Sequence, residues 1–156
     1  MLKIDGKEYG LKFNYKFASR LVKDYSQNEV DGFDRLLGEI IDRDPVALVN
    51  AYRYALDVPD NKLPSADKVA DALDEAGYFK DGEKAFSDLF KQIKNSGFLS
   101  LKLHHFMSTR EQQVKDAKTA LDAVTDKKQK KSLEATVKQA ETALEEVKKQ
   151  FEQLSK

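Results

Sequence analysis

The residue types that do chemistry are few in this chain and poorly spaced for it. His104 and His105 are its only histidines. On a helix, adjacent side chains diverge by roughly 100°, so the two cannot converge on one metal ion as an i, i+4 pair would. With no cysteine, the chain lacks thiolate ligands, a cysteine nucleophile and disulfides. The carboxylates of "DALDE" (71–75) and of Glu145 and Glu146 lie in helical patterns beside basic residues, which is the make-up of a solvated face. "DKKQKK" (126–131) could attract phosphate but has no aromatic beside it to stack a base. The glycines of "DGKEYG" (5–10) are spaced for a β-hairpin, with no strand-to-helix phosphate loop behind them. "DNKLPSADKVADALDEAGYF" (60–79) has the outline of a helix-turn-helix, yet its second helix is no more basic than its first. No catalytic, cofactor-binding or metal site is therefore expected, and no nucleic-acid partner.

Composition agrees. Lysine plus arginine and aspartate plus glutamate both number 27 among 156 residues, so no net field favours a polyanion. A charged fraction of 35% beside 40% hydrophobic residues fits long solvated helices. No apolar run approaches the roughly 18 residues of a membrane span, and "MLKIDGKEYG" lacks the apolar core of a signal peptide. A soluble, cytoplasmic protein is the expectation.

The elements that would position any working surface are legible. Asp5-Gly6 is a preferred type I′ turn, because both central residues need positive φ. It pairs Ile4 with Lys7 and Leu2 with Tyr9, placing Leu2, Ile4, Tyr9, Leu11 and Phe13 on one face that helices or another chain must cover. Asn14 caps a helix carrying Phe17, Ala18, Leu21, Val22 and Tyr25 at helical spacing. Phe33, Leu36, Leu37, Ile40 and Ile41 form the stripe of the next helix. Asp44 and Pro45 suit the N-cap and first position of a third. After the loop "VPDNKLPS", Ser65 caps a fourth helix, which Gly77 ends. A turn at Lys80-Asp81-Gly82 opens a fifth helix with Ala85, Phe86, Leu89, Phe90 and Ile93 on one side. Gly97 is expected to stop it, with Phe98 and Leu99 folding back onto its end.

Beyond about Leu101 glycine and proline disappear and helix formers dominate. Val114, Ala117, Leu121 and Val124 form one apolar run; Leu133, Val137, Ala140, Leu144, Val147, Phe151 and Leu154 form a seven-residue repeat. The runs are out of phase, since continuing the first places Lys128, Lys131 and Lys138 in its seam. That predicts an antiparallel, coiled-coil-like hairpin turning around Thr125 to Lys131, or one kinked helix, as no glycine marks the turn. The expected fold is mainly α: a short N-terminal β-hairpin on a helical domain (1–100), then a C-terminal helical hairpin (101–156).

"LKIDGKEYGLKFNYKFASRL" (2–21) followed by an acidic helical middle, "ALDEAGYF" (72–79) and "FSDLFKQIKNSGFL" (86–99) resembles the tail assembly chaperones of long-tailed phages of Gram-positive bacteria. The opening hairpin running into a helix and the ending Asn95 to Phe98 carry the likeness, over about residues 1–100. It implies a non-enzymatic protein of the host cytoplasm, absent from the mature virion, that binds the tape-measure protein and keeps it soluble. It further implies recruitment of the tail tube protein, in such families often through a longer frameshifted product. Candidate partner contacts are the seam residues Val114, Leu121, Leu133, Leu144, Val147 and Phe151, and the helix face Phe86, Leu89 and Phe90. The same residues would serve equally as internal core. The rival readings are a self-assembling coiled-coil scaffold, consistent with a homo-oligomer, and a DNA-binding regulator.

Overall fold

A computed structural model describes residues 1–156. Two strands, β1 (Leu2–Ile4) and β2 (Lys7–Tyr9), precede seven helices: α1 (Tyr15–Tyr25), α2 (Gly32–Ile41), α3 (Pro45–Ala55), α4 (Ala66–Glu75), α5 (Gly82–Asn95), α6 (Gly97–Asp122) and α7 (Lys127–Leu154). The chain divides into two compact units, Met1–Ser100 with Leu154–Lys156, and Leu101–Gln153.

In the first unit the strands pair antiparallel with Leu2 opposite Tyr9 and Ile4 opposite Lys7. Asp5 and Gly6 take φ of 50° and 78°, the left-handed pair that a type I′ turn requires. Leu2 and Ile4 are buried, and β1 packs on α4. The strand face is shorter than expected, because β2 stops at Tyr9. The next residues switch partner: Leu11 bridges Leu56, the Lys12 amide donates to the Ala55 carbonyl and the Asp57 amide to that of Gly10. Leu11 and Phe13 thus leave the hairpin, and Phe13 sets its ring edge-on to Phe17 and Tyr52.

The helices begin where side-chain acceptors can satisfy free amides. Asn14, Asp31, Asp44, Ser65 and Asp81 cap α1 to α5 in turn. Gly77, at φ 81°, ends α4 in a Schellman motif: its amide donates to Asp74 and that of Tyr78 to Leu73. Arg43 holds the equivalent left-handed position after α2, at φ 58°, without the freedom of glycine. Helix α3 is the hub, touching α1, α2, α4 and α5. Gly32 lets α1 and α2 meet: a Cβ there would lie 1.9 Å from the Leu21 carbonyl oxygen.

Three expectations in this unit need correction. Val22 is exposed, whereas Arg20 on the same helix is buried. Gly97 does not stop α5, which ends at Asn95 with Ser96 as its C-cap; Gly97 starts α6 instead. Phe98 consequently stays exposed and meets the Tyr15 ring edge-on at 5.2 Å, while Leu99 is buried.

The second unit is an antiparallel helical hairpin. Glu111 pairs with Lys148 at 2.9 Å, Lys118 with Glu141, and Phe106 stacks on Phe151, so rising numbers on α6 meet falling numbers on α7. The turn comes earlier than its charge run suggested. It occupies residues 123–126, and Asp126 caps α7 by accepting from the Lys128 and Gln129 amides. An aspartate cap does there what a glycine signal would have announced.

Candidate functional site

The groups that first invite a chemical reading are dispersed. His104 and His105 are both exposed, and no group of three or more His, Asp or Glu residues is placed to hold a metal ion. A cleft of about 450 Å³ in the first unit is lined by Tyr52, Tyr78, Asp81, Lys84, Asp88 and Gln92 among others. Burial, with help from Tyr78, pushes the Tyr52 phenol far above its ordinary value. The hydrogen bond from Lys84 to Asp88 raises the Lys84 ammonium. General acid–base catalysis works best with groups that titrate near the working pH, and both of these move away from it.

Two polar clusters that composition and periodicity had not singled out are structural. Arg20 is 4% exposed and spends its guanidinium on the end of α3. Its Nη1 donates to the Tyr54 carbonyl at 2.9 Å and that of Leu56 at 2.8 Å, its Nη2 to Val58, and its Nε to Asp60 at 2.8 Å. The last bond holds the Asp60 carboxyl below the usual carboxylate range. These carbonyls are ones a helix C-terminus leaves without partners, so the arginine closes α3 from across the fold. Tyr25 donates to Glu39 at 2.6 Å and accepts from Asn50 at 3.0 Å, with the Arg35 guanidinium 4.1 Å from its ring centroid. Burial and the Glu39 contact push its phenol up to about 12. No buried side-chain nitrogen or oxygen lacks a partner, so none waits for a ligand. The sequence signal for Arg20 was weak: an arginine interrupting the apolar face of α1.

The candidate partner contacts separate into two environments. Phe86, Leu89 and Phe90 lie in the core of the first unit. Val114 is buried in the hairpin, whereas Leu121, Leu133, Leu144, Val147 and Phe151 are only half-buried. One edge of the seam is closed by the Glu111–Lys148 and Lys118–Glu141 pairs. The other holds a groove of about 200 Å³ lined by Arg110, Gln113, Val114, Ala140, Ala143, Leu144 and Val147.

Fold and surface define a class first: a mainly helical protein whose polar interior is spent on its own architecture and whose open features are apolar helix faces. The family model described as phage tail assembly chaperone protein, TAC, matches residues 1–108, well over half of the sequence. The chain belongs to that family, one of chaperones and not of enzymes. Neither a curated protein nor a solved structure matches it. No helix is long and apolar enough to cross a membrane. The family match ends within α6, so α7 and the outer part of the hairpin lie beyond it.

Proposed function

We propose that this chaperone binds the tape-measure protein of its phage, keeps it soluble in the host bacterial cytoplasm and helps recruit tail tube subunits around it, staying out of the finished virion. Family membership over residues 1–108 carries the reading. A long helical client with apolar stripes must be shielded until the tube encloses it, and amphipathic helices are suited to that shielding. The half-buried seam residues Leu121, Leu133, Leu144, Val147 and Phe151 supply apolar surface for such contacts, with Val114 beneath them. Because they are shared with the hairpin's own packing, client contacts stay weak enough to be displaced later. Phe86, Leu89 and Phe90 form a second set, reached when α5 opens locally. Recruitment of the tail tube protein falls to a longer frameshifted product.

The test is co-expression with the tape-measure protein, then tagged co-purification and mass determination. A soluble complex holding several copies per client, from a client insoluble alone, is the expected result, and Leu144→Asp reduces the yield of complex. An insoluble client beside an intact, self-associated chaperone overturns the reading in favour of a scaffold.

A further inference from the structure

Leu154–Lys156 belongs to the first unit, together with all of α5. Along α7 the apolar positions Leu133, Leu144, Val147 and Phe151 are half-buried, yet Leu154, its last residue, is 1% exposed. The Leu154 carbonyl accepts from the Ser87 hydroxyl of α5 at 3.0 Å, and the Lys94 ammonium, in the last turn of α5, donates to Ser155 Oγ at 3.3 Å. Each contact answers something that the end of a helix presents. The last four carbonyls of a helix have no partner within it, and Ser87 satisfies one of them. That end also carries partial negative charge, and Lys94 sets a cation beside it. At the same place the leucine side chain is removed from water. A hydroxyl donor, a cation and an apolar site together recognise a helix C-terminus with a leucine in its last turn.

We infer that this face of α5 is a docking site for such a helix end, filled within the chain by the end of α7 and opened to a client helix of the same kind when that end detaches. Two observations favour an exchangeable occupant. The family match over residues 1–108 contains all of α5, Ser87 and Lys94 included, whereas Leu154 lies beyond it. The receiving face therefore belongs to the family body and its occupant to an extension. The occupant is also the last turn of a helix, anchored by one buried side chain, with Ser155 half-buried and Lys156 exposed after it. Fraying helix ends open at much lower free energy than packed core helices. A tethered segment competes at an effective concentration of about a millimolar, so even weak docking keeps the face filled until another helix displaces it. Naming the client as the displacing partner rests on the chaperone reading; the internal latch does not.

The probe is a fluorescein-labelled peptide of residues 143–156, its binding to the full chain followed by fluorescence anisotropy without client. Leu154→Ser in the chain vacates the face and is expected to tighten peptide binding about tenfold over wild type. A peptide carrying the same substitution is expected not to bind. Hydrogen exchange gives a second arm that holds if Leu154→Ser misfolds. In the wild-type chain the amides of residues 151–154 are expected to exchange faster than those of α5. Lys94→Glu sets a carboxylate against the helix end and is expected to speed them about tenfold further, and adding Ser155→Lys to restore the wild-type rate. Peptide binding that Leu154→Ser leaves unchanged, or amides 151–154 as protected as those of α5, overturns the inference. Co-expression of the Leu154→Ser chain with the tape-measure protein then separates the two readings. More client retained than by wild type supports the partner named here, whereas a face that takes the peptide but retains no more client overturns that identification and leaves the latch standing. Failure of both chains to hold any client overturns the chaperone reading instead.

Discussion

The two units use the same amphipathic helices to different ends. In the first, α3 touches four other helices, and Phe33, Leu36, Leu37 and Ile40 of α2 are completely buried. In the second, two helices share one seam; only Val114 and Val137 are buried in its outer part, and Leu121, Leu133, Leu144 and Val147 remain half-exposed. An apolar stripe says which side of a helix avoids water, while the number of neighbours decides how far it succeeds. Two helices side by side cannot cover both edges of the stripe between them. The compact unit has finished its packing, and the hairpin has packing left to offer.

The largest effect is expected where the compact unit has no slack. Gly32→Ala sets a Cβ against the Leu21 backbone, so α1 and α2 must separate, and denaturant unfolding should show a loss of about 4 kcal/mol. An unchanged midpoint would mean that the helices are not held at this distance. The contrast itself is measured by one substitution made twice. Leu36→Ala should cost about 3 kcal/mol and Leu144→Ala about 1 kcal/mol, because only the first empties a fully enclosed site. Equal costs would erase the distinction. Arg20→Lys keeps the charge but lacks the planar fork that serves several carbonyls, and should lower the stability of the first unit by about 2 kcal/mol. In the opposite direction, Glu29 sits at φ 64° beside Asn28 in a two-residue turn between Gln27 and Val30. Glu29→Gly should stabilise by about 0.5–1 kcal/mol, read as a rise in Tm.

The smallest effect separates the units by pH. The hydrogen bond from Lys148 holds the Glu111 carboxyl below its ordinary value. Its contribution to the hairpin is therefore present above the usual glutamate range and is lost as pH falls through the depressed value. Glu111→Gln should differ most from wild type near neutrality and converge with it in acid, as followed by thermal melts. Tyr25 behaves in the opposite sense. With its phenol pushed up to about 12, its share of the first unit's stability is complete below the ordinary tyrosine value and is lost as pH rises through the raised one. Tyr25→Phe should flatten that alkaline loss.

Much of this was written locally. The Asp5-Gly6 turn, the caps at Asn14, Asp44 and Ser65, the end of α4 at Gly77 and the seven-residue repeat of α7 each depend on a few neighbouring residues, so residue type and spacing sufficed. Gly97 failed as a stop signal because a helix can also begin at glycine, and whether the chain starts again there depends on what buries Leu99. The turn before α7 was misplaced because an aspartate cap looks like any charged residue until its amide partners are seen. The candidate contacts show the limit most clearly: Phe86 and Leu144 occupy equivalent positions in equally regular stripes, yet one is buried and the other half-exposed. By itself the sequence determined most of the helices, the caps at Asn14, Asp44 and Ser65 and the main apolar stripes, since these are set by backbone geometry within a few residues. Only the tertiary structure decided that Arg20 would close α3, that Gly32 would be a contact point and that one hairpin edge would stay open. Each of those depends on which distant segments lie within a few ångströms, and periodicity carries no distance.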